Sequence, residues 1–427
     1  MTARLLYSLA FGLAMPLVWL RLWWRARRQP EYLQHLGERH GSYAASPSTP
    51  LIWLHAVSVG ETRAAEPLIA ALLSDYPDHG LLLTHMTPTG RAAGAELLTK
   101  HPGRVTQAYL PYDLPFACRR FLAHFLPQIW LLIETELWPN LIEAARRRQL
   151  PIVLINARLS ARSLRGYQQL RQLIAPAVAA LSGLAAQTVA DGERLQQLGA
   201  QAVEITGNLK FDVTPAPELL ARGADWRQAL GRRPVWLAAS TREGEESLIV
   251  EAFAALPDNE LLLVIVPRHP QRFAAVAKLL GERGLAYCRR SDGELPKRSH
   301  RVWLGDSMGE MAAYYALADL TLIGGTLLPY GGQNLIEAAA CECPLILGPH
   351  TFNFAQASAD ALAAGAGRQV NDAMAAARLV ETLLNETERR ELRGMRLAAA
   401  RFSQAHRGAT ERTMALIRRL MAFPAGR

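Results

Sequence analysis

Two short segments of the sequence hold the residues best suited to chemistry. The first, His55–Glu61 (HAVSVGE), places the carboxylate of Glu61 directly after an apolar stretch. The second, Gly324–Ala340 (GGTLLPYGGQNLIEAAA), combines paired glycines with Asn334 and Glu337. Each segment follows an apolar run typical of a buried parallel strand, and each opens a helix. Because ligands of open α/β sheets bind beyond the carboxyl ends of the strands, the spacing predicts transfer chemistry in a cleft between two domains.

The carboxylate of Glu61 has two explanations that the sequence leaves open. Glu61 follows Gly60 in the turn after the first apolar run. A glutamate in the first helical turn stabilises the helix dipole. A carboxylate held at a rigid strand end can also act as a general base. In that case Ser58 and the adjacent backbone N–H groups are candidates for binding an anionic part of the substrate.

A second pair of carboxylates, Glu134 and Glu136 in IETELWPN, also ends an apolar run. Two carboxylates can hold a divalent metal. However, only Thr135 separates them, no histidine lies nearby and the chain contains no D-x-D motif. The pattern therefore favours orientation of a polar substrate, or stabilisation of charge, over a metal site.

Two polar loops follow strands in the same half of the chain. They are HMTPTGR (His85–Arg91) and NARLSARS (Asn156–Ser163). Such loops are often helix caps. Together with Glu61 and Glu134 they are also predicted to line one rim of the cleft.

The glycine-rich segment of the second half is the most specific of its motifs. Paired glycines allow the backbone to approach a ligand closely, and the helix start nearby favours an anion. Glu337, one turn inside the helix, suits a ribose diol. The chain has neither the G-x-G-x-x-G pattern nor the P-loop pattern, which argues against dinucleotide and P-loop sites. It also lacks the H-E-x-x-H spacing of zinc enzymes.

Two further segments of the second half are candidates for the same site. In PRHP, Arg268 and His269 can pair with a phosphate or carboxylate, or can form a solvated pair at a strand end. In SMGEM, Ser307 is predicted to cap a helix with Glu310 as the third residue of a capping box.

The elements that must position these residues alternate between strand and helix. Helical stretches are predicted between the strands, for instance Arg63–Leu73 and Asn140–Arg148. This alternation is typical of doubly wound parallel sheets, so the fold class is α/β with two Rossmann-like domains. The predicted strands are Leu51–Ala56, Leu81–Met86, Val105–Leu110, Ile129–Ile133, Ile152–Ile155, Gly183–Ala186, Val235–Ala239, Leu261–Val266, Val302–Leu304, Leu320–Ile323 and Pro344–Leu347.

The segment Gly207–Pro217 (GNLKFDVTPAP), which contains glycine and proline, is predicted to be the linker between the two domains. The predicted boundaries are residues 1–28 for an N-terminal anchor, 29–212 for the first domain and 213–427 for the second. From Ala376 onward the chain is predicted to be helical and rich in arginine, and the last helix can pack back on the first domain.

The composition limits the classes of function. The chain has 427 residues, of which half are hydrophobic, and a net charge of +9. A basic protein suits a nucleic acid, an anionic membrane surface or an anionic substrate, but no nucleic-acid-binding signature is present and the arginines are scattered over helices. The four cysteines lack zinc spacing and indicate a reducing, cytosolic compartment; they are Cys118, Cys288, Cys341 and Cys343.

The N-terminus is predicted to associate with a membrane. Leu5–Leu20 is almost wholly apolar and is followed by RLWWRARR. A cleavable signal peptide carries its charges before the apolar run, so this order indicates an anchor. Arginines on the C-terminal side place the body of the protein in the cytoplasm. A single span, a helix lying in the interface and a buried core helix remain alternatives.

Ten motifs of the chain, in this order, resemble those of the 3-deoxy-D-manno-octulosonic acid (Kdo) transferases. The likeness covers nearly the whole chain, including the N-terminal anchor. One departure is Gln333, where many members of that family have histidine. The motifs are HAVSVGE, THMTPTG, ETELWPN, NARLS, GNLKFD, STREGEE, PRHP, GDSMGE, GGQNLIEAAA and GPHTFNF.

The resemblance implies a GT-B glycosyltransferase, with two Rossmann-like domains facing each other across a cleft, that needs neither metal nor cofactor. It implies inverting transfer of Kdo from CMP-Kdo to a phosphorylated lipid A precursor, lipid IVA. The reaction is expected on the cytoplasmic side of the inner membrane of a Gram-negative bacterium, in lipopolysaccharide biosynthesis, with no nucleic-acid partner.

The resemblance also implies roles for individual residues. Glu61 is expected to accept the proton, and Glu134 and Lys210 to support the transition state. The residues expected to hold CMP are Arg268, His269, Met308, Gly309, Glu310, Asn334, Leu335, Ile336 and Glu337.

Two other functions stay open at this stage. One is a different membrane-associated sugar-nucleotide enzyme of the same fold, such as another glycosyltransferase or an epimerase acting on a UDP-sugar. The other is a non-catalytic envelope scaffold. A soluble epimerase would have no use for the apolar N-terminal run, which favours the transferase.

Overall fold

The computed structural model describes residues 3–44, 49–212, 214–257, 260–385 and 389–422. The chain divides into two compact units. Unit 1 comprises Met1–Asp212 together with Arg407–Arg427, and unit 2 comprises Val213–His406.

Each unit contains one sheet of seven strands, and all the strand pairs are parallel. The strands of unit 1 are β1 Leu51–His55, β2 Gly80–His85, β3 Val105–Tyr109, β4 Ile129–Ile133, β5 Ile152–Ala157, β6 Gly183–Ala186 and β7 Val203–Ile205. Those of unit 2 are β8 Val235–Thr241, β9 Leu262–Pro267, β10 Tyr287–Arg289, β11 Val302–Leu304, β12 Leu320–Ile323, β13 Leu345–Leu347 and β14 Gly367–Gln369.

The α-helices alternate with these strands along the chain. They are α1 Ala3–Ala26, α2 Val59–Ala64, α3 Glu66–Asp75, α4 Pro88–Lys100, α5 Pro115–Phe125, α6 Pro139–Arg147, α7 Ala161–Gln169, α8 Arg171–Ala179, α9 Val189–Gln197, α10 Pro217–Leu230, α11 Glu245–Ala254, α12 Phe273–Glu282, α13 Met311–Leu317, α14 Leu335–Ala340, α15 Ala355–Ala363, α16 Ala373–Leu384, α17 Arg389–Ala405 and α18 Ala409–Ala422.

The two sheets have the strand order of doubly wound folds. Unit 1 runs β3-β2-β1-β4-β5-β6-β7, and unit 2 runs β10-β11-β9-β8-β12-β13-β14. In each sheet the order reverses beside the first strand of the unit, β1 or β8. The prediction of an α/β fold with two Rossmann-like halves is therefore confirmed. Such reversal points open a crevice at the carboxyl ends of the strands, where ligands bind.

The strands are almost continuously apolar because helices cover both faces of a parallel sheet. All five residues of β1 and of β4 are buried. Trp53 of β1 stacks on Trp130 of β4 with ring centroids 4.2 Å apart. The indole N–H of Trp53 donates to the hydroxyl of Thr84 at 2.8 Å. This packing makes the central strands rigid supports for the loops that follow them.

The predicted helix over Arg63–Leu73 is two helices, α2 and α3, which meet at Ala65. The break has a local cause. Pro67 stands at the start of α3, where its missing N–H is tolerated, whereas inside a continuous helix its ring would clash with the preceding turn.

The predicted linker is only partly loose. Leu209–Asp212 forms a turn of 3-10 helix in which Leu209 and Phe211 are buried. The carboxylate of Asp212 accepts hydrogen bonds from the backbone N–H groups of Gly408, at 2.7 Å, and of Thr410. These bonds attach the start of α18 to unit 1, and residue 213 lies outside the described residues.

Helix α1 is, among the described helices, the one long and apolar enough to cross a membrane. Its 24 residues include Pro16. Most of the apolar surface of the helix is exposed, since only Leu22 and Ala26 are buried.

Candidate functional site

Glu61 lies in the first turn of α2, and its carboxylate is held by two hydrogen bonds. The Ser58 hydroxyl donates to Oε1 and the Val57 backbone N–H donates to Oε2, both at 2.7 Å. In return, the Ser58 oxygen accepts the backbone N–H of Glu61 at 3.3 Å. Glu61 thus lies in the first helical turn, as the helix-dipole explanation requires. This position does not exclude chemistry, because an ionised carboxylate has about four acceptor positions and these bonds use two.

The surroundings of Glu61 act on its basicity in opposite directions. Burial raises the pKa of the Glu61 carboxyl, and the hydrogen bonds from Ser58 and Val57 lower it. The charge of Glu134 raises this pKa further, and that of Lys210 lowers it. The net pKa is above the usual value of a glutamate, so the carboxylate is a stronger base than an exposed one.

Glu134 and Lys210 lie beside Glu61 in unit 1. Glu134 directly follows β4, and its Oε1 is 3.8 Å from Nζ of Lys210. The backbone of Glu134 has a φ of +58°, a conformation that costs a non-glycine residue free energy and that clusters at functional sites. The structure therefore brings together the three residues that the sequence associates with catalysis, from segments about 75 residues apart.

A cavity of about 210 Å³ opens at this point of unit 1. The hydroxyl of Tyr167, on its wall, donates to the backbone carbonyl of Thr135 at 3.3 Å. A third carboxylate, that of Glu136, also lines the cavity. The sequence predicts Glu136 only as a partner of Glu134. The lining residues are Glu61, Glu134, Thr135, Glu136, Arg158, Leu159, Ser160, Ser163 and Tyr167.

The pKa of the Glu136 carboxyl lies well above that of an ordinary glutamate. Burial, followed by the negative charges of Glu61 and Glu134, raises the pKa of Glu136 to about 7. Three carboxylates that share one small cavity repel one another when all are ionised. The cavity therefore favours one carboxyl group that stays protonated near neutral pH.

This raised pKa predicts a pH-dependent stability. The folded protein holds a proton on Glu136 between its ordinary pKa and about 7, whereas the unfolded chain has released it. Stability is therefore lost as the pH rises through this window. We expect Glu136→Gln to match the wild type in melting temperature at pH 5 and to exceed it at pH 8.

Thermal unfolding at the two pH values tests this expectation. Glu66→Gln, in the exposed ion pair with Lys100, serves as a control without such a pH effect. A wild-type advantage at pH 8 would contradict the assignment of a protonated Glu136.

The two polar loops flanking this region act in part as caps. Thr87 accepts the backbone N–H of Gly90 at 3.1 Å and begins α4, while Ser160 accepts that of Ser163 at 3.1 Å and begins α7. Asn156, with a φ of +51°, uses its side-chain oxygen to accept the backbone N–H of Leu209. Only the second loop contributes to the lining of the cavity.

In unit 2, the glycine-rich segment turns tightly between β12 and α14. Gly331 and Gly332 have φ values of +89° and +83°, which favour glycine. A Cβ on Gly324 would collide with the backbone carbonyl oxygen of Ser240. The turn thus requires glycines, and it lies beyond the carboxyl end of a central strand.

Asn334 and Glu337 form the start of α14 as the sequence predicts. The side-chain oxygen of Asn334 caps the helix by accepting the Ile336 N–H at 3.1 Å, and its amide donates to Glu337 at 3.0 Å. Leu335 and Ile336 are each 1% exposed. Of these four residues, only Asn334 and Glu337 can therefore offer side chains to a ligand.

A buried carboxylate that the sequence analysis did not single out holds the glycine-rich turn. Glu245 is fully buried at the start of α11. Its Oε2 accepts the backbone N–H groups of Gly325 at 2.6 Å and Arg242 at 2.8 Å, and its Oε1 accepts that of Leu327 at 3.0 Å. The motif STREGEE contains this glutamate and Arg242, but the other two partners, Gly325 and Leu327, lie 80 and 82 residues away in sequence, so no local pattern reveals them.

Arg268 and His269 follow the end of β9. Arg268 is half-buried, and its positive charge lowers the pKa of the buried Tyr315, whereas the negative charge of Glu337 raises it. Both residues therefore lie near the same tyrosine. His269 is exposed and its Nε2 is 2.9 Å from the Arg242 guanidinium. Desolvation and the charges of Arg242 and Arg268 lower the pKa of His269, which is thus neutral at pH 7.

The capping box predicted for Ser307 and Glu310 is wrong. Helix α13 begins later, at Met311, and the Ser307 hydroxyl lies 3.2 Å from that of Tyr314. Gly309, with a φ of +79°, turns the chain out of the helical path between the two. The Glu310 carboxylate also accepts hydrogen bonds from Arg222, at 2.6 Å, and Arg290, at 3.0 Å.

This pairing limits what the segment can offer a ligand. Burial raises the pKa of Glu310, but hydrogen bonds from Ser307, Arg290 and Arg222 outweigh it and leave the pKa lowered. The Glu310 side chain is therefore ionised and engaged within the protein. Met308 is 53% exposed, so the accessible groups of this segment are the Met308 side chain and the backbone around Gly309.

Within the part of the chain that the structure describes, no three His, Cys, Asp or Glu side chains are grouped so as to hold a metal ion. Glu61, Glu134 and Glu136 share a cavity, yet the first is engaged with Ser58 and Val57 and the second pairs with Lys210. The alternative of a metal site at Glu134 and Glu136 gains no support from this arrangement.

The comparison with known proteins is specific. Residues 34–213 match the family model described as 3-deoxy-D-manno-octulosonic-acid transferase (kdotransferase). A 3-deoxy-D-manno-octulosonic acid transferase of Bordetella pertussis is 47% identical over an alignment of 425 residues that covers 96% of this chain and 98% of the relative. The chain belongs to the Kdo transferase family. A second relative of the same name, from Haemophilus influenzae, is 39% identical over 97% of this chain and 98% of the relative.

This Kdo transferase is a glycosyltransferase with the GT-B fold. A solved glycosyltransferase of Rickettsia africae superposes on it with a TM-score of 0.59, covering 88% of this chain and 99% of the other. At 13% identity that likeness concerns the fold alone. Family membership, in contrast, rests on identities of 47% and 39% over nearly the whole chain. It favours the transferase over the epimerase and scaffold alternatives.

Proposed function

We propose that this Kdo transferase moves Kdo from CMP-Kdo to a phosphorylated lipid A precursor, lipid IVA, with inversion at the anomeric carbon. Glu61 is the general base, and the transfer step requires no metal. The observation that carries the proposal is the cluster of Glu61, Glu134 and Lys210 in unit 1, in a chain of this family. Glu61 and Glu134 of this cluster line one cavity.

The proposed role of Glu61 follows from its geometry and basicity. The acceptor hydroxyl oxygen forms a bond to the anomeric carbon of Kdo while its proton passes to the Glu61 carboxylate. The bond between that carbon and the CMP phosphate oxygen breaks, and its electron pair leaves with CMP. The hydrogen bonds from Ser58 and Val57 fix the carboxylate, and its raised pKa favours proton acceptance.

Glu134 and Lys210 are proposed to stabilise the transition state. Departure of CMP leaves positive charge at the anomeric carbon, which the carboxylate of Glu134 stabilises. Kdo also carries a carboxylate, which suits the ammonium of Lys210. The ion pair between Glu134 and Lys210, at 3.8 Å, keeps both charges in place before the substrate binds.

Unit 2 is proposed to hold the CMP moiety. Arg268 supplies a positive charge for the phosphate, and Glu337 a carboxylate for the ribose hydroxyls. Asn334 positions Glu337 through the hydrogen bond at 3.0 Å. The glycine-rich turn brings the backbone close to the ligand, and the segment Met308–Glu310 contributes its backbone. His269, neutral at pH 7, adds hydrogen bonding without charge.

The protein is proposed to work on the cytoplasmic side of the bacterial inner membrane. The apolar surface of α1 and the arginines that follow it support this location. The net charge of +9 suits a phosphorylated lipid acceptor at an anionic surface.

The purified protein, incubated with CMP-Kdo and lipid IVA, tests the proposal. We expect release of CMP and a lipid product whose mass has increased by one or more Kdo units, and we expect this in buffer containing EDTA. Binding of CMP should exceed that of UDP in calorimetry. A folded protein that binds UDP in preference to CMP and forms no Kdo-lipid would contradict the proposal.

Replacing Glu337 is expected to weaken donor binding. Glu337→Ala removes the carboxylate proposed to contact the ribose, and loss of one such charged hydrogen bond costs about 1.5–3 kcal/mol. We expect CMP affinity to fall by roughly tenfold or more, as measured by calorimetry. Glu381→Ala, at an exposed position of α16, serves as the control. Unchanged affinity of Glu337→Ala would remove this residue from the CMP site.

A further inference from the structure

One side of α1 packs on the rest of unit 1 along the length of the helix. Phe11, Met15 and Val18 pack against an apolar cluster on unit 1. Near the other end, Trp19 stacks on His40 with centroids 5.2 Å apart and planes 4° apart. We call this side the docked face; it comprises Arg4, Tyr7, Ser8, Phe11, Met15, Val18, Trp19, Leu22 and Ala26.

The docked face is also polar, which distinguishes it from a lipid-facing surface. The Ser8 hydroxyl donates to the side-chain oxygen of Asn140 at 2.9 Å. The Tyr7 hydroxyl hydrogen-bonds to Asp113, and Arg4 lies 3.7 Å from Glu143. Asp113 and Asn140 are only 1% and 2% exposed. The bonds from Tyr7 and Ser8 therefore contact buried polar groups of unit 1 that water does not reach.

The opposite side of α1 is apolar and uncovered. Leu13 is 82% exposed and Leu17 is 69% exposed, which is unusual for adjacent leucines on a folded surface. We call this side the leucine face; it comprises Leu5, Leu6, Leu9, Leu13, Leu17, Leu20 and Trp24.

The C-terminal end of α1 adds the charge and the aromatic groups that an anionic lipid surface attracts. Arg21, Arg25, Arg27 and Arg28 occur within eight residues. The guanidinium of Arg27 lies 4.3 Å from the ring centroid of Trp23, and Trp23 itself is 50% exposed. Arginine and tryptophan side by side are typical of the headgroup region of a membrane.

We infer that α1 lies flat in the headgroup region of an anionic phospholipid bilayer, with its leucine face inserted and its docked face on unit 1, and does not cross the membrane. This inference rests on the membrane location given under Proposed function and specifies its geometry.

A crossing helix would lose what the docked face provides. At about 1.5 Å per residue, α1 is about 36 Å long, so a span would need nearly the whole helix. Asn140 would then lose the Ser8 hydroxyl, and Tyr7 and Ser8 would enter hydrocarbon. Asp113 would lose Tyr7 but keep two backbone N–H donors, and Glu143 would lose Arg4 but keep Arg146 and Arg147. An unsatisfied buried polar group costs about 1–3 kcal/mol, whereas the flat orientation keeps every one of these bonds and still buries the leucines.

Cysteine labelling distinguishes the two orientations. In cells producing Ala3→Cys, a membrane-impermeant maleimide should react only after the inner membrane is broken. The four native cysteines are buried, so their background labelling is low. Arg232→Cys, exposed in unit 2, is the cytoplasmic control. Reaction of Ala3→Cys in intact spheroplasts would overturn the inference, because it would place the N-terminus in the periplasm.

A cross-link tests the docked face directly. In inner-membrane vesicles, Arg4→Cys with Glu143→Cys should be joined by a short bismaleimide within one chain. Ser8→Cys with Asn140→Cys, joined by mild oxidation, is the second pair in case the first is too distant. Failure of both pairs in a protein that still folds and binds CMP would show that α1 leaves unit 1 in the membrane.

The leucine face is tested with vesicles of phosphatidylglycerol and phosphatidylethanolamine. Leu13→Asp should lower partitioning to vesicles by at least about tenfold, since an inserted aspartate costs about 2.5–3.5 kcal/mol at full depth. Leu397→Asp, at an exposed leucine of unit 2, should not change partitioning. If Leu13→Asp alters only self-association, a second copy of the chain covers this face and the inference is wrong.

Kdo transfer by the wild-type protein in detergent micelles is measured in parallel. Failure of that assay contradicts the proposed activity and leaves the orientation untouched, because micelles do not report on topology. Conversely, an active enzyme that is labelled at position 3 from outside contradicts the orientation alone.

Discussion

Glu61→Gln is expected to lower kcat for Kdo transfer by roughly 10²–10⁴-fold, the contribution of a positioned general base, while CMP affinity stays nearly unchanged. The amide is isosteric with the carboxylate. Its oxygen can still accept the Val57 N–H, and its NH₂ group can donate to Ser58, so the start of α2 is kept. What is lost is the ability to take a proton.

Glu61→Ala provides the comparison for this effect. It removes the base together with the acceptor of the Ser58 hydroxyl and the Val57 N–H, while Ser58 still caps α2 through the backbone N–H of residue 61. We therefore expect an equal loss of kcat and a stability lower by about 0.5–1.5 kcal/mol for each hydrogen bond lost. Glu66→Gln, in the neighbouring helix α3, should be unaffected in both respects. If Glu61→Gln retained more than a tenth of the wild-type kcat, a structural role at the start of α2 would alone explain this residue.

Glu245→Ala is expected to have the largest effect on unit 2. It would leave the backbone N–H groups of Arg242, Gly325 and Leu327 without their present acceptor in the protein interior. At about 1–3 kcal/mol for each unsatisfied group, the free energy of unfolding should fall by at least about 3 kcal/mol. The glycine-rich turn would also lose the anchor that fixes its backbone.

Glu245→Gln separates a role in the turn from a role in stability. Its oxygen can accept from part of this set, but its NH₂ group faces N–H donors, so the turn is held less well. We expect CMP affinity to fall by at least about tenfold even at temperatures well below the melting transition. Glu251→Gln, exposed on the same helix, is the control. A loss of stability with normal CMP affinity would make Glu245 a purely structural residue.

Most of the strands could be predicted from the sequence because they lie in the interior of parallel sheets. Apolar runs such as Ile129–Ile133 are buried on both faces and read as strands without ambiguity. The strands that the sequence analysis missed are β7, β10 and β14. Each has three residues and lies at the edge of a sheet, where partial exposure removes the apolar run.

The same local pattern had opposite outcomes at two candidate sites. Both Ser58-x-x-Glu61 and Ser307-x-x-Glu310 have the spacing of a capping box. In the first, Ser58 caps α2 by accepting the backbone N–H of Glu61. In the second, Gly309 adopts a left-handed φ, the helix begins only at Met311, and two arginines pair with the Glu310 carboxylate. Arg222, 88 residues from Glu310, is a tertiary partner that a four-residue pattern does not reveal.

Some residues of the candidate site could be predicted from the sequence, whereas others owe their role to tertiary contacts. Glu61, Glu134 and Lys210 were associated with catalysis through family motifs, and the parallel topology explains why segments so distant in sequence meet at one sheet edge. The raised pKa of Glu136 and the anchoring role of Glu245 come from burial and from long-range hydrogen bonds. Both properties depend on residues that are distant in sequence, so the pattern of a single segment does not predict them.

The most direct test of the proposed base is a crystal structure of the Glu61→Gln protein with CMP-Kdo and lipid IVA, since loss of the base should preserve the ternary complex. We predict that the side chain at position 61 lies within about 2.6–3.2 Å of the attacking hydroxyl oxygen. An acceptor hydroxyl that lies beyond this reach and contacts another carboxylate, such as Glu136, would contradict the account.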